Sequence, residues 1–180
     1  MASVFLSPST QEYNITTTGQ SEEYYANLIA DAMIPYLNAS SISYGRNDPS
    51  GSVNTSISIS NSGNYGLHLA IHSNAAPENL SGMLQGSDVY YYKDSTRGKN
   101  AAEIFANNLK LIYRNPSDVT VVPNTTLIEL RKTKAPTILL ELAYHDNVQD
   151  AQWLVDNIET IARNLSLSTA DFLGVPFVEP

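Results

Sequence analysis

Apolar residues along the chain follow two alternating periods, which predicts an α/β fold. Short apolar runs of strand length are separated by longer stretches in which apolar residues recur every three or four positions. Such alternation is typical of a three-layer sandwich, in which a mixed, mostly parallel sheet of about six strands carries helices on both faces. The predicted strands are Val4–Leu6, Ser41–Tyr44, Leu67–His72, Ser87–Tyr92, Leu127–Arg131 and Thr137–Ala143.

The helical periods indicate four helices between and after these strands. Ser21 is a suitable N-cap for the first helix, and two glutamates follow it in the first turn, where the helix dipole favours negative charge. The predicted helices span 22–37, weakly 53–61, 101–112 and 151–165. We therefore expect one domain over residues 1–173, with residues 174–180, which contain two prolines and no period, beginning a linker or tail.

Composition excludes several classes of function. The 180 residues carry a net charge of −8, which argues against a nucleic-acid groove and against unaided binding to an anionic membrane. No cysteine is present, so disulfides, thiolate nucleophiles and cysteine metal sites are excluded. The N-terminus shows no secretory signal pattern, and no stretch approaches the length of a membrane span.

Two of the three histidines lie on one face of a predicted strand. His68 and His72 are four residues apart in an apolar run, and side chains alternate across a strand. His72 is followed by Ser73 and Asn74, so it lies at the carboxyl end of the strand, where α/β sheets gather ligands. His72 is therefore either a functional residue or a structural histidine with satisfied hydrogen bonds.

One carboxylate interrupts the most apolar strand of the sequence. Glu141 lies within the run 138–143, and a buried carboxylate is costly unless it is paired, metal-bound or catalytic. The alternative is a glutamate near the strand end whose carboxylate reaches solvent. His145 follows shortly after, in a stretch more typical of a surface loop.

These segments, taken in chain order, resemble the zinc-dependent N-acetylmuramoyl-L-alanine amidases of the type-3 family. The resemblance implies cleavage of the amide bond between N-acetylmuramic acid and L-alanine in peptidoglycan by zinc-activated water. It also implies that Glu23 and His72 bind Zn²⁺ and that Glu141 is the general base. The matching segments are Val4–Pro8 (first strand), Glu23 with Asn27 and Leu28 (first helix), Leu67–Asn74 (second zinc histidine), Leu127–Arg131 (a strand with its arginine) and Thr137–Tyr144 (catalytic glutamate).

The first loop departs from the family pattern. The family has Asp-Pro-Gly-His after its first strand, and that histidine is a zinc ligand. Here the corresponding residues are Ser7, Pro8, Ser9 and Thr10, so Thr10 stands in the place of the histidine. Thr is a poor zinc ligand, so another residue must complete a three-ligand catalytic site. We expect His145 to replace the histidine, with Glu12 or Gln11 as the alternatives.

Other functions remain open at this stage. A domain that lost its metal would act as a cell-wall-binding module, whereas a zinc peptidase would favour a His-Glu-x-x-His helix, which is absent. A glycosidase would need two carboxylates flanking a cleft. As an amidase, the protein is expected to act on the cell wall outside the cell, as an endolysin or an autolysin, beside a separate wall-binding domain.

Overall fold

The computed structural model describes residues 1–180 and shows a six-stranded sheet with the order β2-β1-β3-β6-β4-β5. Neighbouring strands are parallel except β4, which runs antiparallel to β6. The strands are β1 (Ser3–Pro8), β2 (Ser43–Arg46), β3 (Leu67–Asn74), β4 (Ser87–Tyr92), β5 (Val119–Asn124) and β6 (Thr137–Tyr144). The helices are α1 (Glu22–Ala39), α2 (Val53–Ser62), α3 (Thr96–Leu109), α4 (Ile128–Lys132), α5 (Val148–Asp156) and α6 (Ile158–Leu173).

Helices cover both faces of the sheet, although unequally. Their presence on both faces confirms the predicted three-layer α/β fold. One face packs against α1, α3, α5 and α6 and holds a core of 31 buried residues. The other face is covered by α2 and α4 and holds a small apolar cluster of Ala70, Leu130 and Leu139. In β3, Leu69 and Ile71 belong to the large core, whereas His68 faces α2 and α4. Strand alternation thus places His68 and His72 on the less covered face.

The predicted strand at Leu127–Arg131 is wrong, because this segment forms the short helix α4. Leu127 and Leu130 are three residues apart and both pack toward Ala70, a spacing that a single helical turn satisfies. The strand that completes the sheet is β5, which the sequence pattern did not reveal. It contains Pro123 and lies at the edge of the sheet, where a residue without an amide hydrogen is tolerated.

The last predicted helix is two helices. α5 ends at Asp156 and is followed by Asn157, whose backbone amide donates to the carbonyl of Leu154; α6 begins at Ile158. Asn157 also donates through its side chain to the carbonyl of Trp153, which offers the backbone an alternative to a continuous helix. None of the helices combines the length and the apolar character that a membrane span requires.

The start of α1 is fixed as its sequence indicates. The Ser21 hydroxyl accepts a hydrogen bond from the amide of Tyr24, and the first helical residue is Glu22. At the other end of the chain, Gly174 closes α6 in a left-handed conformation (φ 70°). The residues that follow pack against the domain, because Phe177 stacks on Tyr36 with ring centroids 6.0 Å apart.

Candidate active site

The candidate site lies where the carboxyl end of β3, the neighbouring strand β6 and the start of α1 meet. His72 and Glu141 are register partners on the adjacent parallel strands, so their side chains emerge side by side on the same face. Glu22, the first residue of α1, approaches from the helix terminus. The sheet and the helix cap thus bring together residues 22, 72 and 141.

Glu22 is in direct contact with His72. Its Oε1 atom lies 2.9 Å from His72 Nδ1, and its Oε2 atom accepts a hydrogen bond of 2.8 Å from Asn14. Only 2% of Glu22 is exposed. Burial alone would raise the pKa of this carboxyl, but the hydrogen bond and charge of His72 outweigh it and lower the pKa below its usual value.

The structure therefore places Glu22, and not Glu23, beside His72. Glu23 is half-buried and turned along α1, where its Oε1 accepts a hydrogen bond of 3.3 Å from Asn27. Successive residues of a helix point about 100° apart because there are 3.6 residues per turn, so a shift of one residue is enough to miss the site. In this geometry Glu23 does not reach His72, so its metal-binding role stays a prediction.

Glu129 approaches His72 from the other side of the imidazole ring. Glu129 Oε2 lies 3.8 Å from His72 Nε2, while Glu129 Oε1 lies 2.9 Å from His68 Nε2 and accepts a hydrogen bond from the Ser7 hydroxyl. Glu129 is a residue of this site that the sequence did not predict. Like Glu141, Glu129 is a lone carboxylate between apolar residues. The incorrect strand prediction for Leu127–Arg131 did not single it out.

Glu141 is half-buried, and its buried Oε2 atom lacks a hydrogen-bond partner. Burial raises the pKa of its carboxyl to about 8, because the charged form loses solvation. Nearby negative charge adds to this effect, since Asp88 of β4 is its register partner on the other side. A carboxyl with such a pKa can exchange a proton near neutral pH, as a general acid or base must.

His72 is surrounded by negative charge. Burial alone would lower the pKa of its imidazole, but the nearby carboxylate of Glu129, the hydrogen bond to Glu22 and the charge of Glu141 raise it to about 10. The ring therefore carries a positive charge that balances its carboxylate neighbours. Three acidic side chains, Glu22, Glu129 and Glu141, thus surround one imidazole.

This donor set fits zinc chemically. Zinc binds imidazole nitrogen and carboxylate oxygen, and no thiolate is needed. Side chains would nevertheless have to move to bind it, because no three His, Asp or Glu residues are arranged so that they could already hold a metal ion. Glu22 and His72 are the pair best placed to do so.

The structure does not bring His145 to His72. The His145 Nδ1 atom lies 2.9 Å from the Ser73 hydroxyl and 3.1 Å from the Ser73 carbonyl oxygen, and the ring is buried. Ser73 follows His72 in β3, so its side chain points to the opposite face of the sheet. The two alternatives, Glu12 and Gln11, are both exposed to solvent, and Gln11 contacts the site because its Nε2 lies 3.5 Å from Glu22 Oε1.

A cavity of about 500 Å³ opens beside these residues. His72 and Glu129 line it together with Thr10 and Gln11 of the first loop. Thr10 and His72 therefore line the same cavity. The cavity gives a ligand access to the imidazole from the side of α2 and α4.

Comparisons with known proteins agree on one family. The sequence model of the N-acetylmuramoyl-L-alanine amidase family matches residues 9–168. No curated protein sequence matches the chain significantly.

Solved structures with low sequence identity share the fold. The N-acetylmuramoyl-L-alanine amidase of Clostridium difficile 630 superposes with a TM-score of 0.83 at 18% identity, covering 96% of this chain and 97% of that protein. The catalytic domain of an endolysin targeting Clostridia difficile gives 0.77 at 18% identity, covering 95% and 98%. Cwp6 from Clostridium difficile gives 0.80 at 21% identity; the match covers 94% of this chain but only 29% of Cwp6.

Proposed function

Because the chain belongs to the N-acetylmuramoyl-L-alanine amidase family, we propose that it hydrolyses the amide bond between N-acetylmuramic acid and L-alanine in a zinc-dependent reaction. The family assignment makes it a peptidoglycan hydrolase that acts on the cell wall. The zinc dependence and the roles of individual residues are the proposed part.

One observation carries the proposal: Glu22 and Glu141 flank His72 at the carboxyl end of β3. Glu22 and His72 would hold the ion. Of the residues expected to replace the missing histidine, Gln11 is the one that contacts Glu22. Bound zinc would supply Lewis acidity, which makes water a stronger acid and polarises the scissile carbonyl.

Glu141 would move the protons of the reaction. Its carboxylate takes a proton from the attacking water and then donates a proton to the nitrogen of the leaving L-alanine. The unpartnered Oε2 atom supports this role, because a carboxylate oxygen already engaged in a structural hydrogen bond would be a weaker base. Water supplies both the oxygen of the new carboxylate and the proton of the new amine.

Purified peptidoglycan provides the test. The protein should release soluble peptides with a free L-alanine amino group without creating new reducing sugar ends, and Glu141→Gln should release none. A chelator should abolish the activity, and added zinc should restore it. Unchanged activity after exhaustive chelation would refute the zinc dependence while leaving the amidase assignment in place; release of reducing ends would point to a glycosidase.

Thr10 motivates a second candidate, a wall-binding module without metal. In that case the protein would sediment with peptidoglycan and bind no zinc, and no amino groups would appear during incubation. A sedimentation assay run beside the hydrolysis assay therefore separates the two functions.

We also propose that the domain works beside a separate wall-binding domain, outside the cell. The match to only 29% of Cwp6 supports this, because there a similar fold is one part of a longer chain. The similarity to an endolysin catalytic domain supports release in the manner of a lysin. Sedimentation of this chain alone with cell walls tests the first point, since weak retention is expected without the second domain.

A further inference from the structure

Four buried side chains form a polar network beneath His72, between β3 and the helices α2 and α4. Glu129 and His68 are at its centre, with exposed fractions of 3% and 0%. The Ser7 hydroxyl donates to Glu129 Oε1, which is also 2.9 Å from His68 Nε2. The other ring nitrogen of His68, Nδ1, lies 2.8 Å from the Ser60 hydroxyl. We call these four residues the Glu129 network.

The network leaves one carboxylate oxygen directed at His72. Both partners of Glu129 engage Oε1, whereas Oε2 lies 3.8 Å from His72 Nε2. The opposite ring nitrogen, Nδ1, faces Glu22 at 2.9 Å. His72 therefore has a carboxylate at each of its two nitrogens, one from α4 and one from α1.

Stability alone does not account for a charge at this position. The same face of the sheet also holds an apolar cluster of Ala70, Leu130 and Leu139. A well-packed apolar group can replace a buried ion pair with no loss of stability, or with a gain, because the desolvation cost disappears. An apolar group in place of Glu129 could not, however, orient the imidazole of His72 through its charge.

We infer that Glu129, held in place by His68 and Ser7, is a positioning residue that orients His72 so that its Nδ1 atom faces Glu22 and can bind a metal ion. This inference rests on the zinc-dependent function proposed above. Histidines that bind metals usually direct the second ring nitrogen to a carboxylate or a carbonyl, which fixes the ring and raises its basicity. Glu129 does not touch the substrate in this scheme and acts only through His72.

Zinc affinity, measured by competition with a chromogenic chelator, tests the inference without relying on activity. Glu129→Gln keeps the shape of the side chain and removes its charge, and zinc binding should weaken about 10- to 100-fold. Asp150→Asn is the matched control, because Asp150 is also a fully buried carboxylate that accepts side-chain hydrogen bonds, yet contacts neither His72 nor Glu22. Its zinc affinity should stay within about twofold of the wild type even if its melting temperature falls.

His68 provides the second arm. His68→Gln retains a donor that can reach Glu129, whereas His68→Leu removes it, so zinc affinity should fall more in the leucine variant. Combined with Glu129→Gln, His68→Leu should add little further loss, because His68 acts through Glu129. Wild-type zinc affinity in Glu129→Gln, with only a lower melting temperature, would show that the network is merely structural. Failure of the wild type itself to bind zinc would instead overturn the proposed function, and the inference with it.

Discussion

Glu22 Oε1 and His72 Nδ1 lie 2.9 Å apart, although fifty positions separate the two residues in the chain. The contact joins the first turn of α1 to the end of β3, two elements that the core packs together through Ile29 and Ile71. Since the N-terminus of a helix stabilises negative charge, α1 itself favours an ionised carboxylate at this point.

The first prediction separates the two neighbouring glutamates of α1. Glu22→Ala should lose zinc and hydrolysis together, by more than about 100-fold, because it removes a direct ligand rather than an outer partner. Glu23→Ala is the matched control and should keep both within a few fold, since its carboxylate only accepts from Asn27. Zinc content by atomic absorption and peptide release are measured on the same samples. The opposite ranking would restore the register that the sequence indicated.

Glu141→Gln should abolish hydrolysis but keep zinc bound. Removal of a positioned acid–base typically costs about 10²- to 10⁴-fold in rate, while the ion is held by other residues. Gln is nearly isosteric, and the carboxyl is already held partly in its neutral form by a pKa raised to about 8, so folding should change little. The rate of amine release and the zinc content are the two readouts. A variant that loses zinc in parallel with activity would make Glu141 a ligand instead of a base.

His145→Ala should destabilise the fold and leave the metal site intact. The ring is buried and its Nδ1 interacts with Ser73, so truncation should cost about 1–3 kcal/mol in the free energy of unfolding. Urea denaturation gives that quantity, and chelator competition gives the zinc affinity. Loss of zinc binding without loss of stability would return His145 to the role expected from the sequence.

The sequence predicted the three-layer α/β fold, and for a physical reason. The strands that carry His72 and Glu141 are central and buried, so their continuous apolar runs are unmistakable and polar interruptions stand out. These features depend on local pattern alone, whereas the pairing of His72 with Glu141 depends on the order and register of the strands in the sheet.

The rest of the site depends on tertiary contacts that no local pattern encodes. Glu22 and Glu23 are equally good residues for a first helical turn, and only the docking angle of α1 decides which of them faces His72. Glu129 lies on a five-residue helix that is too short to show a period, so its apolar neighbours favoured a strand. His145 was expected to bind the metal because histidines are few and because it follows the strand that carries Glu141. Neither argument contains information about the direction of its ring.

The last prediction concerns Asp150, a fully buried carboxylate that links four segments of the chain. Its Oδ2 atom accepts hydrogen bonds from the amides of Tyr144 (2.7 Å) and Gly86 (3.1 Å), and its Oδ1 atom accepts from the Tyr113 hydroxyl and from Arg114 at 3.0 Å. Asp150→Ala leaves all four donors without their acceptor, and breaking such a buried charged group typically costs about 3–5 kcal/mol. Asp150→Asn keeps one carbonyl acceptor and should lose less, so the two variants should rank in that order in urea denaturation. Tyr113→Phe removes one donor only and should cost about 1 kcal/mol. If Asp150→Ala were as stable as Tyr113→Phe, the four contacts would not act as one network, and the anchoring of α5 beside β6 would have to come from the packing of Trp153 on Tyr113 instead.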